Sequence, residues 1–376
     1  MKTIAILGIG KLGLCFALNL ERVGYRVIGV DIDKEYVAQI NEKTFFSHEP
    51  LVNEYLAKSE NFIATTDIDQ VINSRARLIF VVVATPSTPE GGYNHYQIER
   101  IAEELMQRGV RVKRVNNSKN QQSMQRHLVV MCTTMPGYTD TLAERMKPYL
   151  YTVSYNPEFI AQGSIIHNQV YPDQVLIGEH SSEVGEMIKE IYKRMCRSTP
   201  VYCQMTRLSA EICKLATNCF LTTKISFANA IGDLAKQVGA EPEKILEAIG
   251  TDSRIGNKYL KYGFGFGGPC FPRDNRALNM YAVTQNYPLL ISQATDEVNK
   301  NHLSFQTQQW LENYPPDQPI VFDYVSYKQG SILIEESQQL ALAVNLAQHG
   351  RKVVIHDTPA VVEQVKAIYG DLFIYE

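Results

Sequence analysis

Residues 1–205 alternate short apolar runs with stretches in which apolar residues recur at helical spacing. The runs Ile4–Gly8, Arg26–Asp31, Leu78–Ala84, His127–Thr133, Thr152–Tyr155 and Val175–Gly178 read as strands, and their alternation with helices predicts a doubly wound α/β fold on a parallel sheet. From Thr206 the regime changes. No proline follows until Pro242, and Ile212, Leu215, Ala216, Cys219 and Phe220 recur at helical spacing. One long helix reaching Val238 is expected, a spine between domains and between subunits. Pro242 opens a shorter helix, and Pro272 opens another after the glycine-dense loop Gly263–Gly268. Pro315, Pro316 and Pro319 mark a linker before a small α/β module with a strand at Ile320–Val325, a helix around Glu336–His349 and a strand at Lys352–His356. Three domains are expected: a Rossmann-type domain over 1–205, a helical dimerisation domain over 206–300, and a short α/β module over 301–376. Residues 107–126, rich in Arg, Lys, Asn and Gln without apolar periodicity, read as a solvated loop rather than a binding patch.

Composition narrows the class. The 376 residues are 45% hydrophobic and 20% charged, ordinary for a globular protein and too many for one core. A net charge of −3 argues against a generic nucleic-acid or membrane-surface role. Seven cysteines without CxxC spacing, and eight histidines without HExxH, predict reduced thiols in a cytoplasmic protein and no metal site. The apolar run after Met1-Lys2 stops at Gly8, too short for a signal peptide and well suited to a buried parallel strand. No apolar stretch approaches membrane-spanning length.

Gly8-Ile9-Gly10-Lys11-Leu12-Gly13 follows the first strand and opens a helix. The first glycine permits a tight turn, the second lets backbone approach a pyrophosphate, and the third allows close helix–strand packing. The helix N-terminus adds amides and partial positive charge. Asp31, at the end of the next strand, is placed to accept from ribose hydroxyls and to repel a 2′-phosphate, so the expected cofactor is NAD rather than NADP. Thr85-Pro86 and Thr133-Thr134-Met135-Pro136 follow two later strands; on spacing alone they read equally well as cleft lining and as turn chemistry before proline.

The stretch Gly267-Gly268-Pro269-Cys270-Phe271-Pro272-Arg273-Asp274 carries the candidate chemistry. A thiol at a helix N-terminus beside Arg273 is expected to have a lowered pKa. Next to a nicotinamide, a thiolate adds to an aldehyde, and the thiohemiacetal loses hydride to give a thioester. A buried hydrophobic cysteine is the default for a lone thiol, but it fits poorly in a Gly/Pro-rich loop. Lys214 and Asn218 are four apart on the long helix and share a face, either as oxyanion donors or as solvated surface.

Together these segments, with Asn156-Pro157-Glu158-Phe159, Ala210-Glu211 and Arg254-Ile255-Gly256, resemble the UDP-glucose/GDP-mannose 6-dehydrogenase family over nearly the whole chain. Members oxidise the C6 hydroxymethyl of a sugar nucleotide twice, reducing two NAD⁺. The resemblance implies Cys270 as nucleophile, and Lys214 and Asn218 as oxyanion holders, with Lys214 also steering the first deprotonation. Asp274 and Thr134 would organise water, and Glu158, followed by Phe159, would lie at the sugar and assist proton transfer. Asp31, Thr85, Thr134 and Arg273 would contact cofactor together with Gly8–Gly13. Tyr259, Gly267 and Lys328 would lie at the substrate, and Arg254 would reach the substrate of the neighbouring subunit, which implies a homodimer built on the long helix. Four positions depart from the pattern: Gln162 replaces a second glutamate, Glu335 replaces an arginine before Glu336-Ser337, Gln174 replaces a basic residue, and the turn glycine is displaced to Gly137. The last module is also shorter than usual.

Gly263-Phe264-Gly265-Phe266-Gly267-Gly268 looks closer to the UDP-glucose branch than to the UDP-N-acetylhexosamine branch. Other readings stay open at this level. One is another sugar-nucleotide substrate; others are oxidation that stops part-way, a non-catalytic sugar-nucleotide binder, and a 3-hydroxyacid-type dehydrogenase that would not need Cys270.

Overall fold

A computed structural model describes residues 1–108, 125–160 and 163–376. Most of segment 107–126 and the departure at Gln162 therefore lie outside the described residues. The two ends of that segment are not loop. Arg108 closes the helix Tyr96–Arg108, and Arg126 begins a strand. The Arg126 guanidinium donates to the carbonyls of Val71, Ile72 and Ser74, so a cation meets the negative end of helix Asp69–Ile72.

The chain divides into two compact units: Met1–Thr88 with Tyr93–Lys214, and Pro89–Gly92 with Leu215–Glu376. The first is built on strands β1 (Thr3–Leu7), β2 (Arg26–Val30), β3 (Phe62–Thr65), β4 (Leu78–Val81), β5 (Arg126–Val130), β6 (Tyr151–Tyr155), β7 (Gln174–Gly178) and β8 (Val201–Met205), in the order β3-β2-β1-β4-β5-β6-β7-β8. The strands expected from sequence are present, shifted or shortened at their ends. β3 and β8, which the apolar pattern does not reveal, close the two edges of the sheet, where a strand needs less continuous apolar sequence.

The sheet is parallel except at one seam. β7 meets β6 antiparallel, through Tyr155 and Gly178 alone. Pro157 has no N–H to offer a ladder there, and the Asn156 side chain takes over, donating Nδ2 to the Leu176 carbonyl at 2.8 Å. The chain leaving β6 is thereby turned out of the sheet just before Glu158. Two apolar layers flank the strands. Helix Lys11–Arg22 contributes Phe16, Leu18 and Leu20 to one, and Phe16 packs edge-to-face on Phe80. Helices Tyr96–Arg108 and Tyr138–Met146 contribute Ile98, Leu105, Leu142 and Met146 to the other.

The long helix is observed at Arg207–Gln237 and is continuous. Its apolar stripe is not uniformly core: Leu215 and Cys219 are buried, whereas Ile212 and Phe220 are exposed. The residues it buries include Glu211, Lys214, Asn218, Thr222, Ser226 and Asn229, a polar stripe at helical spacing. In the second unit, Pro242–Gly250 and Phe271–Thr284 are the helices that Pro242 and Pro272 announced. A further helix, Leu290–Asn313, lacks an apolar signature because the residues it buries are Ser292, Thr295, Asn299, His302 and Thr307.

The last α/β segment is a parallel sheet of β9 (Ile320–Phe322), β10 (Val353–Ile355) and β11 (Ile374–Tyr375), with helices Gln338–Gln348 and Pro359–Tyr369. Its core of Phe322, Val325, Leu342, Leu346, Ile355 and Val361 is tied to helix Leu290–Asn313 by Trp310, stacked on Phe322 at 5.2 Å. No helix among the described residues is long and apolar enough to cross a membrane.

Phe16 is fully buried behind the first glycine turn. Phe16→Ala is expected to cost the first unit about 3–5 kcal/mol, read as a lowered urea midpoint for that unit; an unchanged midpoint would show that this layer is not the core described.

Candidate active site

At the end of β1 the chain turns sharply, with Gly8 at φ +94°. A Cβ on Gly8 would fall 2.3 Å from the Val82 carbonyl oxygen, and one on Gly13 would fall 2.1 Å from the Gly8 carbonyl oxygen. Both glycines are demanded by the protein's own packing. Gly10 is different. It has an ordinary negative φ as the residue capping helix Lys11–Arg22, and a Cβ there would meet nothing within 4 Å. The chain itself does not require glycine at this position, and the open space beside Gly10 leaves room for a pyrophosphate laid against a helix N-terminus without a side-chain cap. Asp31 stands beside the turn: one carboxylate oxygen accepts from the Ile9 amide at 3.2 Å, the other from the Asp33 amide at 3.3 Å. The Tyr36 hydroxyl donates to the Ile9 carbonyl at 2.7 Å. These residues fit NAD, with Gly8–Gly13 at the phosphates and Asp31 at a ribose.

Thr85 is half-buried in the loop after β4. Thr134, after β5, is fully buried, and its hydroxyl donates to Glu211 Oε1 at 2.9 Å. Glu211, from the long helix, also accepts from the amides of Gly137 and Thr139 at the start of helix Tyr138–Met146. A buried carboxylate from one helix thus caps another, and Thr134 is held as part of that brace. Glu211 figures in the sequence only as a neighbour of Lys214; its role is set by the turn at Gly137, 74 residues away in the chain.

One turn along the same helix, Lys214 is buried, not solvated, and its ammonium lies 4.5 Å from the centre of the Phe159 ring. Glu158 is half-buried, and its carboxyl sits deep enough that burial pushes its pKa up to about 7, against the opposing pull of a Gln169 hydrogen bond and the Lys214 charge. A carboxyl with that value exchanges protons near neutrality. Glu158, Phe159 and Lys214 thus come together within the first unit.

In the second unit Cys270 is the residue capping helix Phe271–Thr284, and it is exposed, as the glycine-rich context suggested. The helix begins with the Asp274 amide donating to the Cys270 carbonyl at 2.9 Å. Asp274 and Asn218 are both buried, and Asn218 Nδ2 donates to Asp274 Oδ2 at 2.5 Å. The buried Cys219 thiol meets the Asp274 carbonyl at 3.6 Å, and burial followed by the Asp274 charge pushes its pKa up to about 12. Two cysteines near Asp274 are thus sorted by environment: one inert in the core, the other displayed. Arg273 donates to the Pro269 carbonyl at 3.3 Å, bracing the loop before the thiol.

That loop closes on the last module. A Cβ on Gly267 would fall 2.2 Å from the Glu336 carbonyl oxygen; one on Gly268, at φ +80°, would fall 2.4 Å from the Tyr327 ring. The Gly268 amide donates to the Glu335 carbonyl at 3.0 Å, while Glu336 is clamped by Arg276 at 2.6 and 2.8 Å. The departure at Glu335 therefore contributes backbone to the glycine loop, and its side chain is exposed. Tyr259 is exposed, with an unusual φ of +62° and its ring 6.1 Å from Phe271. Arg254 and Lys328 are exposed as well, and Arg254 pairs with Asp252 at 2.7 Å.

A doubly wound sheet with a glycine turn shaped for a dinucleotide, joined to a helix carrying a buried lysine, defines an NAD-binding oxidoreductase. Comparison narrows the class. Residues 2–196 match the NAD binding domain, and residues 208–301 the central domain, of the UDP-glucose/GDP-mannose dehydrogenase family. A UDP-glucose 6-dehydrogenase of Haloferax volcanii is 29% identical, over 98% of this chain and 86% of its own. One from Pseudomonas aeruginosa is also 29% identical, over 95% of this chain and 79% of its own. Among solved structures, a UDP-glucose dehydrogenase from Pyrobaculum islandicum aligns with a TM-score of 0.85 at 27% identity, covering 100% of this chain and 86% of that one. The chain belongs to the UDP-glucose/GDP-mannose dehydrogenase family.

The three glycines are expected to separate on substitution. Gly8→Ala should lose on the order of 2–4 kcal/mol of stability through strain and overlap. Gly10→Ala should unfold like the parent yet bind NAD roughly tenfold or more weakly by calorimetry. Parental NAD affinity in Gly10→Ala would remove the turn as the pyrophosphate seat.

Proposed function

We propose that this dehydrogenase oxidises the C6 hydroxymethyl of a sugar nucleotide to a carboxylate, UDP-glucose to UDP-glucuronate in the first instance, through a thioester on Cys270. The observation that carries the reading is a thiol displayed at the N-terminus of the helix that also carries Asp274, the buried partner of Asn218. A cysteine kept for packing sits inside, as Cys15, Cys132 and Cys219 do. The named activity of the UDP-glucose 6-dehydrogenases of Haloferax volcanii and Pseudomonas aeruginosa supports the choice of substrate.

When bound, NAD⁺ supplies the hydride acceptor for both oxidations. The chain's own residues do the rest. Glu158, with a pKa near neutrality, takes the hydroxyl proton as the first hydride leaves, giving the aldehyde. Cys270 gives up its proton to solvent and its Sγ bonds to the aldehyde carbon as the C=O π bond opens, with the Lys214 ammonium and the Asn218 amide as the donors for the oxygen's negative charge. Loss of the second hydride leaves a thioester. Water positioned by Asp274 adds to it, the C–S bond breaks, and the carboxylate departs as the thiol regains a proton from that water, while Thr134 stays with the Glu211 brace. Two NADH form per sugar. Gly267, Phe159, Tyr259 and Lys328 hold the sugar nucleotide, while Thr85 and Arg273 lie against the cofactor.

The active form is a homodimer. Phe220, Phe227 and Leu234 are 64%, 48% and 60% exposed at seven-residue intervals on the long helix, a spacing that suits a helix-on-helix seam. Arg254, exposed at the tip of its loop, is the residue assigned to reach the partner's substrate.

With UDP-glucose and NAD⁺, two NADH per sugar are expected, and mass spectrometry of rapidly denatured enzyme should find an acyl adduct on the Cys270 peptide. Cys270→Ser should lower turnover by about 10³-fold; unaltered turnover would favour hydroxyacid-type chemistry that has no use for the thiol. Phe227→Asp should convert a dimer to a monomer by sedimentation, and a parent chain that already sediments as a monomer would sink the proposed seam.

A further inference from the structure

Behind Glu158 lies a short chain of amide side chains. Asn19, on helix Lys11–Arg22, is completely buried, and its Nδ2 donates to Gln169 Oε1 at 2.8 Å. Gln169, on helix Ile165–Val170 and 2% exposed, donates Nε2 to Glu158 Oε2 at 3.0 Å. The other inward residues of these two helices, Phe16, Leu20, Ile165 and Ile166, belong to the apolar core. Two amides placed in such a core lose hydration, and apolar residues of similar size would fill the same space without that loss. Packing gives no reason for the pair. What the two amides have in common is that their hydrogen bonds run in one direction and end on a carboxyl.

The order of donors matters. A glutamine can turn either its oxygen or its nitrogen toward a neighbour. Glu158, when ionised, can only accept, so it draws Nε2 and leaves Oε1 for Asn19 Nδ2, while Asn19 Oδ1 is buried without a partner and the order of donors is set from the carboxylate end. An N–H held against a carboxyl favours the ionised form; an amide oxygen in its place would favour the acid. We propose that Asn19 and Gln169 form a positioning relay that fixes the orientation of the Glu158 carboxyl and sets its readiness to accept a proton.

The other groups facing Glu158 are consistent with this assignment. Lys214 is the cation facing it from the long helix. Tyr192, from helix Ser182–Met195, and the thiols of Cys15 and Cys196 also feel the Glu158 charge; burial and that charge, preceded at Cys15 by the charge of Glu49, hold all three in their neutral forms. Burial lifts the carboxyl, while Gln169 and Lys214 together bring it back to about 7. Losing the Gln169 donor removes a hydrogen bond that favours the carboxylate, so the pKa rises and the base form is lost at a higher pH.

The relay rests on the reading of Glu158 as the proton acceptor, and the test separates the two. In the full-length enzyme, isotope-edited infrared spectroscopy follows the protonated Glu158 carbonyl stretch against pH, with Glu158→Gln as the assignment control. Gln169→Leu is expected to raise the midpoint by about one pH unit. Asn19→Leu should raise it in the same direction, and the double variant should go no further than Gln169→Leu, because Asn19 acts through Gln169. The acid limb of kcat/KM should move by the same amount. Gln169→Met, which keeps the side-chain length, provides the same readout if Gln169→Leu does not fold. An unmoved infrared midpoint in a folded Gln169 variant, or additive shifts in the double variant, would overturn the relay. A moved midpoint with an unmoved rate profile would leave the relay standing and remove Glu158 from the proton transfer.

Discussion

A buried polar group must find a partner, and the helix Arg207–Gln237 places one such group inside the protein at nearly every turn. Glu211 caps the turn at Gly137, Asn218 grips Asp274, and Ser226 donates to the Thr295 carbonyl. Asn229 pairs with Gly263 and Phe264, and Asp233 receives both Tyr262 and His302. Leaving any one unmet would cost about 1–3 kcal/mol. Each therefore pins the element it meets to one register. Lys214 and Asn218, two of the residues that carry the candidate chemistry, lie on the same polar stripe.

The glycine loop before Cys270 shows how closely that register is held. Asn229 and Asn299 each hydrogen-bond loop backbone through both ends of their amides, at Gly263 and Phe264 in one case and at Phe266 in the other. His302 Nε2 meets the Gly263 carbonyl at 2.6 Å, and its other nitrogen meets Asp233. Four of the six residues Gly263–Gly268 have no side chain, and beside the packing of Phe264 and Phe266 polar groups from two helices hold the backbone. Gly267 and Gly268 then allow Glu336 and Tyr327 to approach so closely that a Cβ would collide. The thiol is displayed at the end of a segment whose position is over-determined, as reactive groups require.

Proton chemistry at Glu158 follows from the same economy of burial. A carboxyl taken out of water tends toward the acid form, and only what surrounds it decides how far. Here one cation, Lys214, and one amide, Gln169, act against burial. The Lys214 ammonium is itself kept company by the face of Phe159, two residues of one β6 exit loop thereby serving opposite ends of one charge pair. Asn156 and Pro157 make that exit possible by ending the ladder at the seam with β7.

The amino-acid sequence by itself determined the class of fold, the dinucleotide turn and the exposed cysteine at a helix N-terminus. Each is written locally: strand-length apolar runs, a glycine spacing tied to a single turn, and a thiol set among Gly and Pro where no core can form. It also placed the long helix and the helices opened by Pro242 and Pro272. Tertiary structure alone decided which face of the long helix is inside, since Ile212 and Phe220 are exposed while Glu211, Lys214 and Asn218 are buried. It likewise decided the existence of helix Leu290–Asn313, the two edge strands, and the partners of Glu158 and Glu211. The physical reason is common to all of these. Hydrophobic periodicity reports burial only when burial is apolar, whereas a polar residue is buried when a partner far along the chain arrives to satisfy it, and no local pattern records that arrival.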